Sequence, residues 1–113
     1  MKRYLLLCLV ALSLGLAGCQ TAAPSEGQPR PRIRVAPVYP RELRLLGISG
    51  EAVVEFTVEA NGDVVNPVVI RATKEAFGQA AAACIVRWKY DPAVKDGQPV
   101  ASVQRQTITF IVN

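Results

Sequence analysis

The 113-residue chain contains no histidine. That absence removes serine–histidine and cysteine–histidine catalysis, and it removes the commonest zinc ligand. Cysteine is scarce, with Cys8, Cys19 and Cys84 the only three. Acidic residues are few, and Glu51, Glu55 and Glu59 have no second acidic cluster with which to form a paired-carboxylate site. They read instead as one solvated face of a strand. A glycine-rich phosphate loop is missing too, because Gly47 and Gly50 flank a turn that leads into a strand rather than a helix. No apolar run reaches the roughly 20 residues of a membrane span. These gaps predict a non-enzyme with no metal, no cofactor and no small-molecule substrate.

What is present begins at the N-terminus. Lys2 and Arg3 precede an apolar run over residues 4–16, followed by Ala17 and Gly18. This is the charged, apolar and small-residue order of a secretory signal. A plain cleaved signal or a buried N-terminal helix would share most of it. However, Leu16-Ala17-Gly18-Cys19 resembles the lipobox of bacterial lipoproteins. The resemblance implies a lipoprotein signal peptide over 1–18 and lipid attachment at Cys19. Two acyl chains suffice for stable anchoring, at about 0.8 kcal/mol per buried methylene. Cys84 would then be the one remaining thiol, unable to form an internal disulfide, and its apolar helical surroundings make it a small core residue.

Beyond residue 18, 95 residues remain, with eleven Lys and Arg against nine acids. So small an excess does not favour nucleic acid as a partner. Residues 19–35 are rich in Pro, Gly, Ser and Ala without an apolar period, and read as a flexible lipid-anchored tether. Fully extended, some 15 such residues reach about 50 Å. Arg30, Arg32 and Arg34 within it read as a solvated basic stalk, with contact to anionic lipid heads as the alternative.

Residues 36–113 form the domain. Pro40 suits a first helical position, Leu43 and Leu46 share one face of a short helix, and Gly47 ends it. Arg41 and Arg44 fall on its exposed side and read as a solvated pair, with an acidic partner as the alternative. From Gly50, Ala52, Val54, Phe56 and Val58 alternate with Glu51, Glu55 and Glu59, the period of a half-buried antiparallel strand. Asn61-Gly62 supplies a hairpin turn. Pro67 inside the second strand implies an edge or a bulge. A helix is predicted over about 74–88, with Phe77, Ala81, Cys84 and Trp88 on its apolar face and Ala80 and Ile85 beside them. After a turn-rich link punctuated by Asp91-Pro92 and Asp96-Gly97, a last strand runs from about 100 to 112. The order α-β-β-α-β implies an α+β fold: a small three-stranded antiparallel or mixed sheet with helices on one face. If the last strand lies beside the first, it runs parallel to the second and forms the other edge, by a right-handed crossover.

At this point the residues resemble the TonB C-terminal domain family. The resemblance rests on "VYP" at 38–40, "GISGEAVVEFTVEANGDVVNPVV" at 47–69, "AAAACIVRWKYDPAVKDGQPV" at 80–100 and "ITF" at 108–110. Tyr39, Pro40, Gly47, Gly50, Gly62, Trp88, Pro92 and Gly97 fall on the family motif. The resemblance implies the fold just described and an adaptor without catalysis. It would bind an extended peptide, the TonB box of outer-membrane transporters, by strand addition in TonB-dependent transport. The implied binding edge is the last strand, at Ser102, Val103, Gln104, Arg105, Gln106, Thr107 and Thr109; from the residues alone, these polar positions could equally be a plain solvent edge. The family carries a Gln three residues before the motif Tyr, where this chain has Ala36. An inner-membrane helix and a long proline-rich spacer are replaced here by the lipid and short tether, so no contact with the ExbB–ExbD motor is expected. Gln20 after the lipid Cys favours the outer membrane's periplasmic leaflet. The alternatives are a structural envelope lipoprotein, homodimeric through its last strand, or a TolA-like envelope-integrity module without transporter binding.

Overall fold

The computed structural model describes residues 27–113. The signal at 1–18 and the lipid-attachment residue Cys19 lie outside the described residues.

The expected strand period appears as β2 (Gly50–Val58), β3 (Val64–Ala72) and β7 (Ser102–Phe110). They form one sheet in the order β3-β2-β7, with β3 and β7 each antiparallel to β2. The two edge strands therefore run parallel to each other across the central one. Asn61-Gly62 makes the β2–β3 turn: the Asn61 Oδ1 accepts the Asp63 N–H at 2.9 Å, and Gly62 takes φ +92°. Only glycine fits there, since a Cβ would stand 2.2 Å from the Tyr90 carbonyl oxygen. Pro67 sits on an edge strand beside an irregularity of register, as its missing N–H requires.

Ala52, Val54, Phe56 and Val58 are all buried, facing the helix side of the sheet. There they meet α2 (Glu75–Ile85), which presents Phe77, Ala81, Cys84 and Ile85. Phe77 stacks on Phe110 at 4.6 Å between centroids, and Tyr39 approaches both rings edge-on at 5.7 and 5.6 Å. Burying each such side chain contributes about 1.5–3 kcal/mol. Gly50 makes room for this cluster, because a Cβ there would lie 2.6 Å from Phe77. On the opposite face of the sheet, Glu51–Arg71 and Glu55–Arg105 pair across neighbouring strands at 3.8 and 2.8 Å.

Several details differ from the sequence expectation. The helix of α2 ends at Ile85, tightened by Arg87 N–H to Cys84 C=O and Trp88 N–H to Ile85 C=O, so Trp88 reaches the core from just beyond it. The short helix α1 (Arg41–Leu45) starts after Pro40 and buries one flank through Leu43, but Leu46 is exposed. The turn-rich link is a hairpin of β5 (Ala93–Lys95) and β6 (Gln98–Val100), closed by Asp96 and Gly97 at positive φ. Within the stretch read as tether, β1 (Arg30–Ile33) pairs antiparallel with β4 (Lys89–Asp91), and Gly27 bridges Val94. The chain thus joins the domain from Gly27 onward, through main-chain bonds that need no apolar period.

Candidate functional site

Two hydrogen bonds fix the direction in which the β2 main chain faces. Thr73 N–H donates to Glu51 C=O at 2.9 Å, and Glu59 N–H donates to Asp63 C=O at 2.8 Å. Glu51, Val53, Glu55, Thr57 and Glu59 therefore turn their main-chain groups toward β3. Ala52, Val54, Phe56 and Val58 turn theirs toward Ile108, Gln106, Gln104 and Ser102 of β7, in unbroken register. By the same alternation, the N–H and C=O groups of Val103, Arg105, Thr107 and Thr109 face out of the sheet. These four residues form a ladder of outward donors and acceptors about 20 Å long, at one end of which the Gln104 side-chain amide donates to Val103 C=O at 2.9 Å.

The other edge is of a different kind. Strand β3 carries two register shifts against β2, and its Asn66 adopts φ 55° beside Pro67. Bulges and proline blunt an edge against strand addition. The regular edge of the sheet is β7.

Beside β7 runs a groove of about 400 Å³, between Arg34–Pro37 on one bank and Gln106–Thr109 on the other. The first bank is pinned at a single carbonyl. Val35 C=O accepts the Trp88 indole N–H at 2.9 Å and the Cys84 S–H at 3.0 Å. The Arg34 guanidinium lies over the Trp88 ring, 5.2 Å from its centroid. Ala36, at the position of the family's Gln, offers a methyl group to this groove. Burial pushes the Cys84 thiol above its ordinary range, opposed by the neighbouring Trp88 indole N–H and the charge of Arg87. A thiol held protonated and occupied as a donor is a poor nucleophile. Burial likewise raises Tyr90. The Lys89 ammonium, bonded to Asp63 at 2.8 Å, holds that carboxyl below its ordinary value.

The structure thus collects Ser102, Val103, Gln104, Arg105, Gln106, Thr107 and Thr109 on one edge strand. Side chains at 103, 105, 107 and 109 are exposed on the open face, while Gln104 and Gln106 are half-buried on the helix side. The motif residues lie elsewhere and serve the framework. Tyr39 donates its hydroxyl to Ile48 C=O, and Pro40 caps α1. Gly47 ends that helix at φ +70°. Gly50 and Gly62 permit close approach, and Trp88 packs in the core. Pro92 separates β4 from β5, and Gly97 turns the β5–β6 hairpin. Sequence reasoning missed Arg34–Pro37 as a wall beside the edge. The Val35 contacts with Trp88 and Cys84, together with the pairing of β1 with β4, bring it there across some fifty residues of sequence. Among the described residues no cluster of His, Cys, Asp and Glu could hold a metal.

Comparison with known proteins agrees with this architecture. Residues 35–112 match the family described as Gram-negative bacterial TonB protein C-terminal. Protein TonB of Vibrio cholerae is 36% identical over 69 residues, which cover 60% of this chain and 28% of that protein. Protein TonB of Pseudomonas aeruginosa is 28% identical over 90 residues, covering 79% and 26%. The chain therefore spans only about a quarter of the length of these two relatives. Among solved structures, the TonB2 protein of Vibrio anguillarum superimposes with a TM-score of 0.57 at 32% identity, covering 82% of this chain and 95% of that one. The solution structure of the Pseudomonas aeruginosa TonB C-terminal domain gives a TM-score of 0.66 at 24% identity, covering 79% and 91%; that likeness is one of fold.

Proposed function

This chain belongs to the TonB C-terminal domain family, and on that premise we propose that it is a lipid-anchored periplasmic adaptor that captures an extended peptide along β7. The family consists of adaptors of the cell envelope and not of enzymes. The ligand in this reading is the TonB-box-like segment of a TonB-dependent outer-membrane transporter. The observation that carries it is the asymmetry of the sheet. One edge offers outward main-chain groups at Val103, Arg105, Thr107 and Thr109 in regular register, while the other is bulged and interrupted by Pro67. Strand addition uses the first kind of edge: main-chain bonds supply affinity, and alternate side chains supply selectivity. The groove beside Gln106–Thr109 would receive side chains from the helix-side face of the incoming strand. Ala36 makes no polar contact there, so recognition falls on the edge itself.

The anchor half of the proposal rests on Leu16-Ala17-Gly18-Cys19, with Gln20 favouring the outer membrane. No helix of the described residues is long and apolar enough to cross a membrane. Fatty-acid labelling of the full chain in cells tests Cys19: label lost in Cys19→Ser supports the anchor, and label retained overturns it. Titration of the domain with TonB-box peptides from the same organism tests capture. Amide shifts should concentrate on residues 102–109, and absence of binding at millimolar peptide would sink the adaptor reading. The same open edge also suits a second reading, a structural lipoprotein that dimerises through β7. Concentration-dependent sedimentation abolished by Thr107→Pro distinguishes that case from a monomer awaiting peptide. A TolA-like envelope role without transporter contact remains the reading if neither peptide nor self-pairing is found.

A further inference from the structure

Two arginines flank the β7 edge, one on each side of the sheet, and their charges are differently engaged. Arg105 stands on the open face and donates its Nε–H to Glu55 Oε2 at 2.8 Å, so its charge is already balanced within the sheet. Arg34 lies on the helix side, in the bank of the groove beside Gln106–Thr109. It is the one ionisable side chain that lines this groove, and among the described residues it makes no ion pair. Asp91, the acid of β4, is taken by Arg32 at 3.9 Å and lies outside the groove. Arg34 is also held in place: its guanidinium sits 5.2 Å from the Trp88 ring centroid, and the Val35 carbonyl beside it accepts the same indole's N–H at 2.9 Å. A guanidinium already stacked on a ring loses little freedom on meeting a ligand.

A strand added to β7 presents alternate side chains to the two faces of the sheet. Those on the open face meet an arginine that Glu55 has already neutralised. Those on the helix side meet Arg34, whose charge has no counterpart. We propose that Arg34 is a specificity-determining residue, which selects an extended peptide carrying a carboxylate at a helix-side position beside Gln106. Tyr39 meets Phe110 edge-on, so the bank runs in the same direction as β7, with Arg34 toward Gln106 and Pro37 toward Thr109. The next helix-side residue of the peptide, about 7 Å along, therefore lies over Ala36 and Pro37, where nothing favours a charge. This inference rests on capture along β7 and adds a side-chain rule to it: charge is read on one phase of the strand and at one position of that phase.

Every residue of the buried core cluster lies within 52–110, and the matched structures are themselves chains of this domain's size, so residues 20–113 are expected to fold without the lipid. The test is calorimetric titration of that chain with the tightest-binding TonB-box peptide, carrying Asp and then Asn at each residue in turn. One position should stand out, binding about fivefold more tightly with Asp than with Asn, the equivalent of about 1 kcal/mol for a partly exposed ion pair. The residues on either side of it, which face the open side, should show no such preference. In Arg34→Gln the Asp and Asn peptides should bind alike, and Arg34→Lys, which keeps a cation over the ring, should retain part of the difference. Salt at about 0.5 M should erode the preference in the parent chain. Absence of an Asp preference at every position overturns the proposal. So does a preference that Arg105→Gln abolishes and Arg34→Gln leaves in place. Failure of every peptide to bind overturns capture itself, so the two failures are read apart.

Discussion

Two neighbouring prolines in β7 should have opposite consequences. Gln106 pairs with Val54 and turns its main-chain groups inward, whereas Thr107 turns its groups out of the sheet. Gln106→Pro removes a donor from the ladder between β7 and the central strand β2 and leaves the Val54 carbonyl without its partner. A proline so placed costs about 3 kcal/mol or more. With a urea m value of about 1.5 kcal/mol/M for a domain of this size, the midpoint should fall by roughly 2 M. Thr107→Pro breaks no bond to β2, so its stability cost should stay near 1 kcal/mol, from backbone strain. Its effect belongs to binding. One lost main-chain bond to an added strand is worth about 1 kcal/mol, roughly fivefold in Kd, before any clash of the ring with the ligand. Urea denaturation followed by Trp88 fluorescence and calorimetric peptide titration measure the two effects. Equal destabilisation by both prolines would refute the inferred facing of β7, and unchanged affinity in Thr107→Pro would remove the peptide from this edge.

The glycines and the pH profile supply further checks. Gly62→Ala places a Cβ against the Tyr90 carbonyl at positive φ and should cost several kcal/mol, about 3 or more; Gly47→Ala, at φ +70° but in open space, should cost about 1 kcal/mol. Thermal unfolding of the two variants tests that order, and a reversal would deny the close approach at Tyr90. With no histidine, stability should be level from about pH 5 to 8. Burial raises Cys84 and Tyr90 in the folded state, so their contribution is intact below the ordinary values of 9.0 and 10.0 and is lost as pH climbs past them. Asp63 is lowered by Lys89, so its contribution holds above 3.8 and disappears as pH drops through its folded value. A midpoint rising above pH 9 would contradict the buried phenol and thiol.

Much of this fold could be read from local pattern. The alternation from Ala52 to Val58, the Asn61-Gly62 turn and the disruptive Pro67 each follow from a rule that spans few residues. The β5–β6 hairpin carried the same kind of signal in Asp96-Gly97, but its three-residue strands are too short to show a period. Strand β1 offered none. "RPRI" alternates arginine with Pro31 and Ile33, but four residues containing a proline are too few to mark a strand, all four are exposed, and the partner lies nearly sixty positions away. The wall of the groove at Arg34–Pro37 is held likewise by a long-range contact, the Val35 carbonyl shared by Trp88 and Cys84. The edge strand was legible as a strand. The facing of its alternate residues became visible only through the bonds of Glu51 and Glu59 on its neighbour.

Strand β1 also determines how the domain answers a mechanical load. Traction applied N-terminal to Gly27 meets the Gly27–Val94 bridge first and the β1–β4 pairs next, one after another. Bonds loaded in series yield at low force, whereas an added strand on β7 would be loaded along its length and resist as a unit. Residues 27–34, already extended in and around β1, would detach before tension reached Val35 and the indole that holds it. The hypothesis is checked by stretching a single molecule from its N-terminal side: an early low-force transition, absent when β1 is cross-linked to β4, is expected. Strand β1 is then a mechanical fuse: a pull from the N-terminal side is met first by bonds that can re-form, and the core behind Val35 stays folded.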